Sequence, residues 1–298
     1  MLNTLWSEHI QSSHELYVSR SLRFREDNAD IWLPFLHIGE RAKILELGCA
    51  GGALLHRVKQ LVPGVNAVGL DRDDGHIEYA MAKSAELGLE CEFIAGDALS
   101  LPFADGSFDV TFSHTVTGHV PMQAFLSEQL RVLKPGGRAV VWSVRTKLNL
   151  NTGDREPVSG NEKRLFDKLW DAVNDGVEKE LHVGEYELSE RGYATELEAA
   201  GFSEVELQFF TIIPYAPDNA GTPAELAEAQ INEGRLAALS SVSKAARRAP
   251  GALSPAELAE LELLINERYD ARLTQYRRGE KLWDIATSTV LSATGGKR

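Results

Sequence analysis

Six polar side chains and one glycine-rich turn, all within residues 46–119, have the types and spacing to hold a nucleotide-like cofactor beside a reacting partner. Glu46 stands two residues before the turn Gly48-Cys49-Ala50-Gly51-Gly52. Glycines let a chain turn sharply and let a ligand approach the backbone closely. The helix expected next offers free N–H groups and a partial positive charge at its start. Asp71, Asp97 and Ser113 follow at intervals that suit the ends of successive strands. His114 and His119 come just after, and an imidazole suits proton transfer near neutral pH.

These residues need elements to position them. Ile44–Leu47 reads as a buried strand running into the turn, with an amphipathic helix over Ala53–Leu61. Asn66–Leu70 is a second strand ending at Asp71. Asp73 or Asp74 can cap a helix that runs to about Leu87, with Gly88 as its stop. Cys91–Ala95, Phe108–Ser113 and Arg138–Arg145 are the third, fourth and fifth strands. Between the last two lie a helix over Met122–Leu133 and the hard turn Lys134-Pro135-Gly136-Gly137. Alternating strands and helices with short connections predict a parallel, doubly wound α/β sheet, in which ligands sit beyond the strands' carboxyl ends. Glu46, Asp71, Asp97 and Ser113 all fall there, which is far more specific than one glycine turn.

The flanks are less legible. Residues 1–28 carry scattered large apolar residues and suit an amphipathic arm, either packed on the core or serving as a lid. Residues 146–187 are polar around one helix over Glu162–Val173. Ser189 caps a helix to Ala200, and Ser203–Ile213 is a sixth strand. Thr222-Pro223-Ala224-Glu225 and Ser254-Pro255-Ala256-Glu257 are two expected capping boxes with proline at the first helical position. Leu258, Leu261, Ile265, Tyr269 and Leu273 form one stripe on the second of these helices. Trp283–Ala293 returns to β-compatible sequence. The expected organisation is an arm over 1–30, a core over 31–213 plus 283–298, and a helical insertion over 214–282.

A formal net charge of −13 argues against a nucleic-acid partner, which calls for a basic footprint. Two distant cysteines, Cys49 and Cys91, give neither a disulfide framework nor a metal set. No apolar run approaches membrane-spanning length, and no signal pattern opens the chain. A cytoplasmic protein without membrane association is expected.

Ile44–Gly52, Val68-Gly69-Leu70-Asp71, Gly96–Phe103 with Phe108-Asp109, and Leu130–Gly137 together resemble the class I S-adenosylmethionine-dependent methyltransferases. Within them the chain is similar to the small-molecule branch that includes the ubiquinone and menaquinone biosynthesis enzymes. The resemblance implies a seven-stranded, mostly parallel Rossmann-like sheet and S-adenosylmethionine as cofactor, with S-adenosylhomocysteine as product. It implies cofactor contacts from Glu46, Gly48, Cys49, Gly52, Asp71, Arg72, Asp97, Ala98, Ser113 and His114. Asp71 would take two ribose hydroxyls, each charge-assisted bond contributing about 1.5–3 kcal/mol. Asp97 would meet the adenine amino group, with the Ala98 N–H at a ring nitrogen. The commonest turn of the family has glycine where Ala50 stands. Alanine tolerates positive φ poorly, so Ala50 is expected at negative φ with Gly51 taking the strain.

Plainer roles stand beside these. Asp71 also suits a helix cap, Asp97 a polar loop, Cys49 a small packing residue, and His119 a loop-packing ring. Methyl transfer to a small-molecule acceptor at O, C or N is governed by in-line alignment, which supplies roughly 7–11 kcal/mol. His119 is the candidate general base. The competing readings are an NAD-dependent dehydrogenase, whose Gly-x-Gly-x-x-Gly fingerprint the turn does not fit, and a non-catalytic cofactor-binding regulator. The expected assembly is a monomer or homodimer.

Overall fold

Strand β1 (Lys43–Leu47) is buried continuously from Ile44 to Leu47, and its side chains alternate between the two faces of one sheet. Ile44 packs on one face with Leu54, Val58, Phe112 and Trp142. Leu45 and Leu47 pack on the other with Val68, Leu70, Phe125 and Leu126. This two-residue period is the geometry of a strand covered on both sides. The structure, a computed structural model, describes residues 5–152, 159–173 and 176–298.

The other strands are β2 (Asn66–Asp71), β3 (Cys91–Ala95), β4 (Phe108–His114), β5 (Leu133–Val144), β6 (Ser203–Tyr215) and β7 (Ala286–Gly296). They form a seven-stranded sheet in the order β3-β2-β1-β4-β5-β7-β6. The first five pair in parallel, while β7 runs antiparallel to both β5 and β6. The expected doubly wound, mostly parallel sheet is therefore found. The strand order reverses between β1 and β4, and that crevice is where such sheets take ligands.

Helices α1 (Leu5–His9), α2 (Ser13–Arg23) and α3 (Ala29–Trp32) build the N-terminal arm and its junction with the core. Residues 1–4 of the expected arm lie outside the described residues. The core helices are α4 (Ala53–Leu61), α5 (Asp74–Leu87) and α6 (Met122–Val132). Asp73 caps α5 by accepting from the His76 N–H, and Gly88 ends it at φ +64°. Beyond β5 come α7 (Gly160–Trp170), α8 (Gly176–Glu180) and α9 (Glu190–Ala199), the last capped by Ser189. The insertion is two long helices, α10 (Ala224–Arg248) and α11 (Pro255–Arg277). Leu261, Ile265, Tyr269 and Leu273 bury against α10 and α7 in a third apolar cluster.

Several local expectations change. Lys134–Gly137 does not break the chain before β5. It lies within the strand as an irregularity, where Phe108 faces Leu133 and Val110 already faces Arg138. Gly136 supplies the required φ of +79°. The α7 helix starts and stops earlier than Glu162–Val173. Strand β7 starts at Ala286 rather than Trp283. Ser254 and Glu257 form the expected reciprocal capping box. Thr222 and Glu225 do not: α10 is capped at Pro223 without a side-chain bond, and the Thr222 hydroxyl donates to the Ala216 carbonyl at 3.0 Å.

Candidate active site

The β1–α4 turn is built on two glycines and one alanine in the left-handed region. Gly48, Ala50 and Gly52 have φ of +67°, +47° and +80°. The expected division of strain is thus corrected: Ala50, not Gly51, takes positive φ. What holds Ala50 there is a 2.8 Å hydrogen bond from its N–H to Asp71 Oδ2. Gly51 is needed for space instead. A Cβ there would lie 3.1 Å from both the Ser13 carbonyl oxygen and the Tyr79 ring. At Gly48 a Cβ would lie 2.4 Å from Val116 Cγ2, and at Gly52 2.8 Å from the Phe93 ring.

Beyond the carboxyl ends of β1–β5 opens a cavity of about 990 Å³. Gly48 and Ala50 from the turn, Asp71 and Arg72 after β2, and Asp97 and Ala98 after β3 lie on its wall. His114, Thr115, Val116 and His119 line it after β4, and Val144 at the end of β5. Glu46, Cys49, Gly52 and Ser113 lie behind this wall and not on it. Asp71 is fixed at both oxygens, since Oδ1 accepts from the Asp73 N–H at 3.0 Å. Asp97 Oδ1 accepts from the Leu99 N–H at 2.8 Å, which shapes the β3 loop.

Glu46 is fully buried, with no well-formed hydrogen bond to either carboxyl oxygen among the described residues beyond the approach of the Leu55 N–H. Burial pushes its pKa up to about 8, against smaller downward pulls from the Arg20 charge and the Leu55 N–H. The Cys49 thiol is pushed well up by burial, with Asp71 adding to the effect, so it is an inert packing group. Among the described residues no group of three or more His, Cys, Asp or Glu could hold a metal ion.

His114 is buried against Phe24 and Trp142. Burial holds its pKa well below the ordinary imidazole value, with Arg20 and Arg23 adding to the effect. Its ring is therefore neutral near pH 7. Nε2 faces Arg23 Nη1 at 3.5 Å, which leaves the ring hydrogen on Nδ1. His119 ends a short 3-10 turn over Thr117–His119. Its Nδ1 accepts from the Gly184 N–H at 3.0 Å. Burial lowers its pKa, as does the Arg72 charge, and the His182 carbonyl opposes them. With Nδ1 occupied as an acceptor, the neutral ring carries its hydrogen on Nε2 and presents a donor. Abstracting a proton at Nδ1 requires loss of the Gly184 bond.

One wall comes from the arm, although none of its residues was named as a site residue from the sequence. Trp6, Gln11, Leu16, Ser19, Arg20 and Arg23 of the arm all line the cavity. The arm is tied down by Ser7 N–H to Asp73 Oδ2 at 2.8 Å and by the Ser13 hydroxyl to His76 Nδ1 at 2.8 Å. Trp6 packs edge-on against His119, 4.8 Å between centroids, and the Arg72 guanidinium lies over the Trp6 ring at 5.5 Å. The legible signal was the spacing of Leu16, Arg20 and Arg23, which places them on one helix face. His182 and Tyr186 add a rim from the segment after α8. No described residue of 214–282 is on the wall. Instead α10 lies behind α2, where Lys244 Nζ meets Glu15 Oε2 at 2.9 Å and Ser240 bonds the same oxygen.

Residues 44–137 match the methyltransferase domain family. Over 123 residues, 40% of this chain, the sequence is 38% identical to a demethylmenaquinone methyltransferase of Thermus thermophilus. Over 160 residues, 51% of this chain, it is 32% identical to a sterol 24-C-methyltransferase of Pneumocystis carinii. The chain covers 53% and 40% of the length of these two relatives. In fold it is similar to phosphoethanolamine N-methyltransferase 2 of Haemonchus contortus, with a TM-score of 0.54 at 13% identity. That likeness covers 99% of this chain and 60% of the other. Residues 44–137, which carry β1 to the start of β5, thus match a methyltransferase domain, and the chain spans about half the length or less of these curated relatives. Among the described residues no helix is long and apolar enough to cross a membrane.

Proposed function

We propose, for a chain whose residues 44–137 are a methyltransferase domain, that the protein transfers a methyl group from S-adenosylmethionine to a small-molecule acceptor. The observation that carries this reading is the convergence of the β1 turn, Asp71, Asp97 and the β4 end on one cavity at the switch point of the sheet. A domain match to methyltransferases and a turn that lacks the dinucleotide fingerprint both weigh against NAD.

The residues fit such a cofactor. Gly48 and Ala50 bring backbone to the wall, and the doubly anchored Asp71 is an acceptor for a ribose diol. Asp97 and the Ala98 N–H suit an adenine edge. Arg20 Nη1 is buried on the opposite wall without a partner, as a carboxylate ligand requires. When bound, the cofactor supplies a methyl group already activated by the positive sulfur. The chain's own task is then alignment and exclusion of water. Trp6 and α2 close the cavity over the strand ends. The Nε2–H of His119 orients the acceptor by donating to it, and His114 stays neutral beside the arginines. In this reading Glu46, Cys49, Gly52 and Ser113 support the turn and the β4 end from behind. The protein is taken to act in the cytoplasm without a nucleic-acid partner.

Calorimetric titration tests the reading. Saturable binding of S-adenosylmethionine and S-adenosylhomocysteine is expected, with no binding of NAD. Formation of S-adenosylhomocysteine should then depend on adding a mixed metabolite pool. NAD binding without a response to the sulfonium compound overturns the proposal, and cofactor binding without any turnover reduces it to a cofactor-binding protein.

A further inference from the structure

Buried Arg272 and half-buried Arg268 and Arg145 sit against carboxylates. Arg272 meets Asp218 at 2.8 Å and Asp284 at 3.8 Å, Arg268 meets Glu162 at 3.1 Å, and Arg145 meets Glu190 at 2.7 Å. Arg20 and Arg23 break this pattern. Both line the cavity, and among the described residues neither forms an ion pair at bonding distance, although the Glu233 charge of α10 acts on Arg23 from further off. Arg20 is 8% exposed; its Nη2 donates to the Thr115 hydroxyl at 3.3 Å and its Nη1 has no partner. Arg23 Nε also has none, and Nη1 has only the 3.5 Å contact with His114. The one acid on α2 near them in sequence, Glu15, is turned away to Lys244 and Ser240 of α10.

A buried and a half-buried guanidinium of like charge on one wall are costly unless an anion joins them. The cofactor of the proposed reaction brings a single carboxylate, together with a cationic sulfur and an ammonium group. The positions of the two arginines divide the work. Arg20 stands between the β1 turn and the β4 end: its charge is felt at Glu46, Cys49 and His76 as well as at His114, and its Nη2 donates to Thr115. Arg23 stands further along, against His114 and next to Phe24, which stacks on Trp142 of β5. A cofactor laid from β3 across β1 therefore reaches Arg20 first, and the space over β4 and β5 is left to the acceptor.

Resting on the methyltransferase reading, we propose that the methyl acceptor is an anion whose carboxylate or phosphate group is held by Arg23, with Arg20 shared between it and the cofactor's own carboxylate. A guanidinium suits either group because its planar fork donates two parallel hydrogen bonds. Asp71, Asp74 and Asp97 follow β2 and β3, away from the β4 end where Arg23 meets His114, and the acid whose charge acts on Arg23, Glu233, does not line the cavity.

The test uses the full chain saturated with S-adenosylhomocysteine and titrated with benzoate, inorganic phosphate and neutral benzamide. If S-adenosylhomocysteine itself fails to bind, the underlying reading fails, not this inference. The expected result is saturable binding of benzoate or phosphate and at least tenfold weaker binding of benzamide. Arg23→Gln should weaken the anion at least tenfold with S-adenosylhomocysteine affinity unchanged, and Arg23→Lys should restore part of it. The stronger of the two anions identifies the acceptor's charged group. Three results overturn the proposal: no saturable response to either anion, benzamide binding as well as benzoate, or Arg23→Gln weakening S-adenosylhomocysteine alone. The last would assign both arginines to the cofactor.

Discussion

The backbone N–H of Ala50 donates to Oδ2 of Asp71 over 2.8 Å, tying the turn after β1 to the end of β2. The second oxygen of the same carboxylate accepts from Asp73 at the start of α5. Asp71 is thereby oriented before any ligand arrives. Asp71→Ala should lower affinity for S-adenosylmethionine at least tenfold, since one charge-assisted bond exceeds about 1.4 kcal/mol. It should also lower stability, because the Ala50 amide loses its partner. Calorimetry and denaturant melts read the two effects separately. A loss of stability at full affinity would make Asp71 a clamp for the turn and nothing more.

Ala50 itself sits at φ +47°, where a Cβ costs roughly 1–2 kcal/mol. Glycine relieves that strain but adds about 0.4–1 kcal/mol of freedom to the unfolded chain. Ala50→Gly should therefore stabilise the protein by about 0.5–1 kcal/mol in a urea melt, the difference between those two costs. Cofactor affinity should hold. A destabilised variant would show that the Ala50 methyl packs usefully on the cavity wall.

The strand ends were legible because their signal is local. A run such as Ile44–Leu47 followed by glycines fixes a strand and a turn, and the acids Asp71 and Asp97 follow from the same register. The conformation inside the turn was not legible. It depends on the Asp71 bond to Ala50 and on the crowding of Gly51 by Ser13 and Tyr79, contacts 21 to 38 residues apart in sequence. The arm read as a packed helix or a lid, and its two cavity arginines carry no local signal, since a helix arginine is usually solvated. Their place comes from Thr115 and His114 at the β4 end, some ninety residues on. The insertion's two helices were plain from their proline starts and, for the second, its apolar stripe, yet their place behind the arm depends on contacts far apart in sequence, Glu15 with Lys244 and Ser240.

The Glu15–Lys244 pair makes the insertion a brace. Lys244→Met removes the charge that holds Glu15, leaving a carboxylate that is nine-tenths buried without its ion. Breaking a buried pair from one side costs about 3–5 kcal/mol in the surrounding element. The expected outcome is faster limited proteolysis within residues 5–28 and several-fold weaker cofactor binding, with the sheet intact by circular dichroism. Unchanged proteolysis would mean that the Ser7 and Ser13 anchors hold the arm alone.

Glu46 sets a pH dependence whose sign can be worked out. Its folded pKa of about 8 lies above the unfolded value of 4.5. Between these values the folded chain keeps the proton and the unfolded chain has lost it, so stability falls as pH rises through that window. Glu46→Gln removes the effect, at about 1.4 kcal/mol for each tenfold difference in proton affinity between the folded and unfolded chains. The variant should match the wild type near pH 4.5 and become more stable by a few kcal/mol by pH 8. His56 works in the opposite sense at lower pH. Burial pulls its pKa to about 4, so the unfolded chain protonates first and stability is lost as pH falls from 6.5. Comparing the two proteins at each pH cancels the histidine contribution. Parallel stability curves would mean that Glu46 is ionised in the folded state.

His119 distinguishes donation from proton abstraction. Its Nδ1 is engaged by the Gly184 N–H, so the neutral ring offers Nε2–H to the acceptor. Below its lowered pKa the second nitrogen also takes a proton, the Gly184 bond is lost, and the rim at His182 and Tyr186 loosens. The methyl-transfer rate should thus rise with pH through a value under 6.5 and then stay flat. That limb alone does not separate the roles, because a base gives the same shape. Glutamine does separate them, since its amide can accept from Gly184 or donate to an acceptor but cannot take a proton at this pH. Under donation, His119→Ala should lower the rate roughly 10²-fold, as for losing one positioned donor. His119→Gln should keep it within about tenfold of wild type, and neither should move cofactor affinity. If glutamine falls as far as alanine, by about 10²–10⁴-fold, the ring is acting as a base and the Gly184 bond must open in each turnover.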